Sequence, residues 1–317
     1  MHRTDFTDFD DPAVAMAHKS AVRSIERVVH ETVPATSPQE ALEQTLKQLQ
    51  NPKNLVITGA GVSTASGIPD YRSKNGRLTK GRPMTFQEFA HSPQQVRRYW
   101  ARAFVGIRMM RAAAPNQAHF ALVELERAGL LTGLVTQNVD GLHTQAESRN
   151  VIALHGDMDH VVCLDCHTLH ERLLIDALLT HANPHFLTTV LDAENLTINP
   201  DGDVELPAHY VEQFTMIGCP TCGSERLKPN VVYFGENVPK ARRAQADRWL
   251  AQSTGVIAIG TSLAVMSGYK FVIDAKKQGK PVTVINGGPG RGDAKADTVW
   301  RTDVGEALDE VLDGMGL

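Results

Sequence analysis

Short apolar runs recur along the chain at strand length, and stretches with helical spacing separate most of them. Asn54-Leu55-Val56-Ile57-Thr58 comes first. Leu134-Val135-Thr136, Val151-Ile152-Ala153-Leu154, Val256-Ile257-Ala258-Ile259 and Val282-Thr283-Val284-Ile285 follow. Their apolar character is largely continuous rather than alternating, which suits strands covered on both faces, as in parallel sheets. Helical patterns run over Ala118 to Ala128, Lys240 to Gln252, Gly268 to Lys277 and Glu306 to Leu312. Strand and helix in alternation predict an α/β fold, a Rossmann-like doubly wound parallel sheet. No apolar run approaches a membrane span.

Two regions interrupt that rhythm. Between about Gly76 and Pro115 the pattern reads as wholly helical, with Thr85 and Glu88 as a capping box and Ser92 as N-cap before Pro93. From about Asp157 to Arg226 the chain carries Cys163-Leu-Asp-Cys166 and Cys219-Pro-Thr-Cys222, separated by a polar insert of about fifty residues. Within that insert Asn199-Pro200-Asp201-Gly202-Asp203 marks a turn. Residues before about Asn51 read as an appendage broken by Pro34 and Pro38, in which Ser37 and Glu40 form a capping box opening a helix from Pro38 to Leu49. The expected partition is an N-terminal extension over 1–35, a Rossmann-like domain over 36–156 and 227–317 with a helical insertion at about 76–115, and a zinc-binding module over 157–226.

The cysteines bear on that module directly. There are four in 317 residues, all in the two pairs, so none remains as a nucleophile or a stray core thiol. Two-residue spacing lets both sulfurs of a pair meet one ion, and two pairs complete the tetrahedral thiolate shell of one structural Zn2+. Redox dithiols and a disulfide framework are the rival readings. The first prefers a single pair beside a βαβ unit, and the second a secretory signal. The opening residues, with Asp5, Asp8, Asp10 and Asp11, suit neither a signal nor a transit peptide, so a reducing cytoplasm is expected. A formal net charge of −4, with both signs mixed, points to neither nucleic acid nor an anionic membrane. A closed zinc site holds structure, so the chemistry must lie elsewhere.

In a doubly wound sheet ligands sit beyond the carboxyl ends of the strands. The first strand runs into Gly59-Ala60-Gly61-Val62-Ser63, where glycines admit a pyrophosphate and a following helix would offer free N–H groups. Alone this is also an ordinary tight turn, because the full GxGxxG and its distal acid are missing. Gly260-Thr261-Ser262 and Asn286-Gly287-Gly288 follow two further strands, and three such loops on one edge favour a nucleotide. Gln137-Asn138-Val139-Asp140-Gly141-Leu142-His143 offers amide and carboxylate groups suited to a carboxamide or ribose hydroxyls. His155, at the end of the strand from Val151, is a candidate general base, with a structural histidine as the alternative.

Taken in order, these residues resemble the sirtuins, NAD-dependent protein lysine deacylases, and in particular their class II, bacterial-type members. The matching stretches are Gly59 to Ser73, Pro115-Asn116 with Ala118-His119, Thr136 to His143, His155-Gly156, the four cysteines, Lys228 to Glu236 and Gly260 to Leu263. They span roughly Asn51 to Gly305, about four-fifths of the chain. The resemblance implies NAD as a consumed co-substrate, with Gly59, Ala60, Gly61 and Arg72 at its phosphates. It implies Gln137, Asn138 and Asp140 at the nicotinamide ribose, Gly260, Thr261, Ser262, Asn286 and Gly287 around the adenosine, and Val304 at the adenine. His155 takes the place of the catalytic histidine, with Asn138 and Asp140 beside it in the reaction. By the same resemblance, the acyl-lysine carbonyl oxygen attacks the anomeric carbon as nicotinamide leaves. His155 then acts as base on the ribose hydroxyls, and the products are free lysine and O-acyl-ADP-ribose. The segment Ser73-Lys74-Asn75-Gly76 reads as a lid or a plain exposed loop.

An acyl-lysine protein or peptide is the implied partner, laid as a strand between Val231, Val232, Phe234, Gly235 and Glu236 on one side and the stretch after Ser262 on the other. That stretch departs from the common Val-x-Pro, reading Val265-Met266-Ser267-Gly268-Tyr269. Tyr99 and Arg102, three apart on a helix, resemble the Tyr-x-x-Arg of class II members that remove acidic acyl groups, a fork and a phenol suited to a carboxylate. The alternative is a wet arginine-rich face shared with Arg97, Arg98, Arg108 and Arg111. Two other functions share the same cofactor site: a protein mono-ADP-ribosyltransferase, and a non-catalytic NAD-sensing or zinc-scaffold module. An intact His155 and the peptide-binding strand favour the deacylase over the first, and an intact His155 and Gln137-Asn138-Val139-Asp140 favour it over the second.

Overall fold

A computed structural model describes residues 9–73, 75–79, 81–193 and 196–317, so Asp5, Asp8 and Lys74 of the expected lid lie outside it. Chain contacts divide it into two units. One comprises residues 27–81, 113–155 and 238–317, and the other comprises 1–26, 82–112 and 156–237.

The first unit holds a six-stranded sheet. Its strands are β1 (Asn54–Thr58), β2 (Leu131–Thr136), β3 (Val151–Ala153), β7 (Val256–Ile259), β8 (Val282–Ile285) and β9 (Thr298–Trp300). The spatial order is β3-β2-β1-β7-β8-β9, and every pairing is parallel. The continuous apolar runs bury both faces. Leu55, Ile57, Val256 and Ala258 join a cluster with Phe271 and Leu250. Val56, Ile257 and Ile259 join another with Leu122 and Leu308. The doubly wound sheet read from periodicity is therefore present. The strand order reverses at β1, with β2 on one flank and β7 on the other, so the switch point faces the carboxyl ends of these three strands.

The second unit is built on a three-stranded antiparallel sheet in the order β5-β4-β6, from β4 (Gly156–Cys163), β5 (Leu169–Glu171) and β6 (Leu227–Val231). Helices Pro93–Ala112, Arg172–Ala182 and Phe186–Ala193 pack with it around Trp100, Phe104, Phe186 and Phe214. Several expectations change here. Helical insertion and cysteine region share one core, and residues 227–237 belong with them because β6 pairs with β4. The insert between the cysteine pairs is not a polar excursion: Ile175, Leu179, Val190, Val204 and Phe214 are buried in that core. Residues 76–79 and 81–85 are loop and bridge rather than helix, the helices beginning at Phe86.

Capping separates the two sequence-predicted boxes. Thr85 and Glu88 form the reciprocal box as read, and Ser92 Oγ accepts from the Gln95 N–H at 3.3 Å. Ser37 makes no side-chain cap, and the Pro38–Leu49 helix starts with Pro at its first position instead. The N-terminal segment is ordered as the Pro12–Ile25 helix, capped by Asp11, with His18 Nδ1 3.0 Å from Thr85 Oγ1.

Candidate active site and zinc site

Two loops meet backbone to backbone at the carboxyl edge of β1 and β7. Gly61 N–H donates to Gly260 C=O at 2.9 Å, and a Cβ on Gly61 would come within 2.8 Å of that oxygen. Gly260 has φ +60°, and its own Cβ would sit 2.6 Å from the Val62 nitrogen. The glycines are needed first for this crossing, which leaves no room for side chains. No α-helix follows β1, contrary to the expectation of a dipole at the pyrophosphate. Two 3-10 turns, Ala60–Val62 and Thr64–Ser66, take its place and end at Gly67 in the left-handed region. In such tight turns the donors close on their own loop, as Val62 N–H does on Gly59 C=O.

A polar cluster lies on the same edge. Gln137 Nε2 donates to Thr261 Oγ1 at 2.7 Å and to Thr58 C=O at 3.2 Å, tying the β2 loop to the β7 loop. Asn138 Nδ2 donates to Gly59 C=O and to Ser63 Oγ, and Ser63 Oγ–H donates to Asp140 at 2.7 Å. Three separated stretches thus converge through side-chain hydrogen bonds around a half-buried, polar edge suited to a dinucleotide. Ser63 is the member that sequence reading passed over, and a hydroxyl inside a glycine turn gave no signal of its partner.

The remaining candidates make local contacts of their own. Asn286 donates its amide to Gly288 C=O at 2.7 Å, and Gly287 has open space up to Thr302 C=O. Ser262 C=O accepts from Arg291 N–H at 2.8 Å. Arg72 reaches Arg27 C=O at 3.4 Å, and burial together with the Arg27 charge pulls its guanidinium below its ordinary value. Val304 opens the last helix with its side chain buried among Leu308 and Ile285, so an adenine there would meet backbone.

His155 lies two residues beyond the end of β3 at Ala153. Its Nδ1 lies 2.9 Å from Gln137 C=O and its Nε2 2.8 Å from Ser267 Oγ. A carbonyl only accepts, so Nδ1 carries the proton and Nε2 presents its lone pair. Burial, with Arg242 assisting, pushes His155 down to about 4, so it is a neutral base at pH 7. Ser267, in the stretch that departs from Val-x-Pro, is a partner of His155 that the sequence did not assign. Deeper in, the His119 and His143 rings lie 4.7 Å apart, tilted by 54°, and burial pushes His143 down to about 3.

In the other unit the four cysteine sulfurs lie within 4.8 Å of one another. Cys163–Cys222 and Cys166–Cys219 are 3.6 and 3.8 Å apart. Tetrahedral zinc with Zn–S near 2.3 Å requires sulfurs about 3.8 Å apart, so the donor set fits a structural Zn2+ held by Cys163, Cys166, Cys219 and Cys222. His170 Nε2 lies 3.2 Å from Cys219 Sγ, placed to donate to a thiolate and orient it.

Tyr99 and Arg102 share the Pro93–Ala112 helix as read, but neither faces water. Arg102 is 8% exposed. Its Nε and Nη2 engage Asp203, and Nη2 also meets Glu205 at 2.7 Å. Tyr99 packs on Phe89, Trp100 and Tyr233, with its hydroxyl buried beside that of Tyr233. Of the expected peptide strand, Val231 ends β6. Phe234 C=O accepts from Phe86 N–H, Gly235 C=O accepts from Gln87, and Glu236 pairs with Lys228 at 3.1 Å. That segment is a braced turn rather than a continuous strand.

A switch-point nucleotide edge with a neutral histidine base, in a chain that also carries a four-thiolate module, defines a Rossmann-like nucleotide-using enzyme class. The Sir2 family model matches residues 59–267, and the chain belongs to the Sir2 family. It is 56% identical over 278 residues to NAD-dependent protein deacetylase 1 of Corynebacterium efficiens, covering 87% of this chain and 98% of that one. NAD-dependent protein deacylase Sirt4 of Drosophila melanogaster is 40% identical over 291 residues, covering 89% and 91%. A solved Sir2–p53 peptide–NAD+ complex matches with TM-score 0.66 at 26% identity, covering 87% of this chain and 98% of that one.

Proposed function

We propose that this protein is an NAD-dependent protein lysine deacylase, with acyl-lysine proteins or peptides as substrates and a reducing cytoplasm as its setting. The observation that carries the reading is His155: a neutral imidazole, its tautomer fixed by Gln137 C=O, on the sheet edge that gathers the Gly59, Gln137 and Gly260 loops. The names of the bacterial and Drosophila relatives point the same way. Among the described residues no helix is long and apolar enough to cross a membrane.

On this reading NAD, consumed as co-substrate, supplies an electrophilic ribose carbon from which nicotinamide departs. Gly59, Ala60, Gly61 and Arg72 take the phosphates. Gln137, Asn138 and Asp140 hold the nicotinamide ribose. Gly260, Thr261, Ser262, Asn286, Gly287 and the Val304 backbone hold the adenosine half. His155 Nε2 takes a proton from a ribose hydroxyl once Ser267 releases it. Val231, Val232, Phe234, Gly235 and Glu236 receive the peptide, and Tyr99 and Arg102 receive an acidic acyl chain of the class II kind. Two features support that last assignment. The Tyr99 hydroxyl is buried with only the Tyr233 hydroxyl beside it, and Arg102 Nη1 is the guanidinium nitrogen with no protein partner among the described residues.

The test is an acyl-lysine peptide incubated with NAD and followed by mass. Wild type should lose the acyl group and release nicotinamide. His155→Ala should fall by at least about a hundredfold while calorimetry shows NAD still bound. ADP-ribose appearing on protein, with the acyl group intact, would overturn the deacylase reading in favour of the transferase.

A further inference from the structure

The insert between the cysteine pairs sends a hairpin onto the helix of Tyr99 and Arg102. Ile198 bridges Val204, Asn199 N–H donates to Asp203 C=O at 2.8 Å, and Asn199 Nδ2 donates to Asp203 Oδ1 at 2.7 Å. The hairpin lies in backbone contact with that helix, since a Cβ on Gly106 would come 2.4 Å from Gly202 C=O. Three acids lie along it: burial and the neighbouring Asp203 push Asp201 up to about 8, and the other two do unequal work on Arg102. Asp203 is 7% exposed and takes the Nε–Nη2 edge of Arg102, where Val204 C=O also accepts at 2.7 Å. Glu205 adds a second carboxylate on Nη2, yet its side chain is 64% exposed. Arg98, one turn back on the helix, is the other cation near these acids. Two arginines against Asp203 and Glu205, with Asp201 held toward its neutral form beside them, leave no net positive charge to attract a further carboxylate.

We infer that Glu205 is an internal competitor for the acidic-acyl position on Arg102. Asp203 fixes the guanidinium and Glu205 sets how strongly the enzyme favours acidic over neutral acyl-lysine. The inference rests on the reading that Arg102 receives the acyl carboxylate. An incoming carboxylate cannot use the edge that Asp203 occupies. It meets Nη1 alone, or Nη1 and Nη2 once Glu205 swings away. An exposed carboxylate is weakly held, so displacement is feasible, but it subtracts from the gain of the new pair. A neutral acyl chain makes no claim on the guanidinium and is indifferent to Glu205. Acyl selectivity thus belongs to the insert as much as to the Tyr-x-x-Arg helix.

The experiment measures kcat/KM on one peptide carrying acetyl-, succinyl- or glutaryl-lysine, for wild type, Glu205→Gln, Glu205→Lys and Arg102→Gln. Glu205→Gln should raise the succinyl-to-acetyl and glutaryl-to-acetyl ratios by about threefold to fivefold, with acetyl turnover little changed. Glu205→Lys should raise them further. If Arg102→Gln lowers both ratios while neither Glu205 variant moves them, the competitor role is wrong and the Arg102 reading survives. If Arg102→Gln leaves both ratios where they were, the Arg102 reading fails and takes the inference with it. Glu205 is exposed, so thermal melting should show both of its variants folded as wild type.

Discussion

Which nitrogen of His155 holds the proton decides what the residue can do. Gln137 C=O fixes the hydrogen on Nδ1, and Ser267 Oγ then has only a lone pair to meet at Nε2. A hydroxyl donating to that lone pair favours the neutral ring and so lowers its affinity for protons. Burial depresses the ring in the same direction, to about 4. Ser267→Ala should therefore raise the His155 pKa toward its ordinary value, read by an imidazole NMR titration. Its kcat should hold or rise, by at most about tenfold, the span of one hydrogen bond, because Nε2 no longer has to give up Ser267 before meeting the ribose hydroxyl, with NAD affinity kept. An unmoved titration would show that Ser267 does not hold the base. Position alone marked His155 in the sequence, at a strand end shared with glycine loops. Ser267 was invisible there, because its partner lies 112 residues away and serine has many ordinary uses.

Among the elements, the crossing of the β1 and β7 loops is the most exacting. Gly260→Ala adds a Cβ against the Val62 nitrogen at a φ of +60°. The expected cost is about 1–3 kcal/mol of stability, seen as a lower urea midpoint, together with weaker NAD binding by calorimetry. Normal NAD affinity would show that the crossing does not shape the cofactor edge. Central strands such as Asn54–Thr58, Val256–Ile259 and Val282–Ile285 were legible to the residue because both faces demand apolar side chains. Strand β9, three residues with a threonine and a tryptophan, was too short to stand out. Strand β4 hid for another reason: Asp157, Asp159 and His160 interleave with buried Met158 and Val161 on a sheet wet on one side. The turn at Asn199 to Asp203 was read correctly, but no local pattern says that it closes on Gly106. Likewise the arginine-rich helix gave Tyr99 and Arg102 their common face, while the acids that neutralise it lie about a hundred residues further on.

Across the whole molecule, the two units depend on different forces. The six-stranded sheet rests on two apolar layers, whereas the cysteine-bearing unit adds four thiolates that must be kept together. Stripping zinc with a chelator should accelerate amide exchange in 156–171 and 219–231, while β1, β2 and β7 stay protected. Equal loss of protection in both units, or none in either, would contradict a structural zinc confined to that module.

The parallel order of the large sheet also has a temporal meaning. β1 lies at the centre, yet Leu55 pairs with Val256, roughly 200 residues later in synthesis. A nascent chain therefore carries an apolar strand with one unpaired edge until β7 has left the ribosome, and the whole cysteine-bearing segment is made during that interval. Such long-range closure is slow and exposes an adhesive edge. Chains truncated before Val256 are left with that edge uncovered for good, and they are the species most prone to self-association.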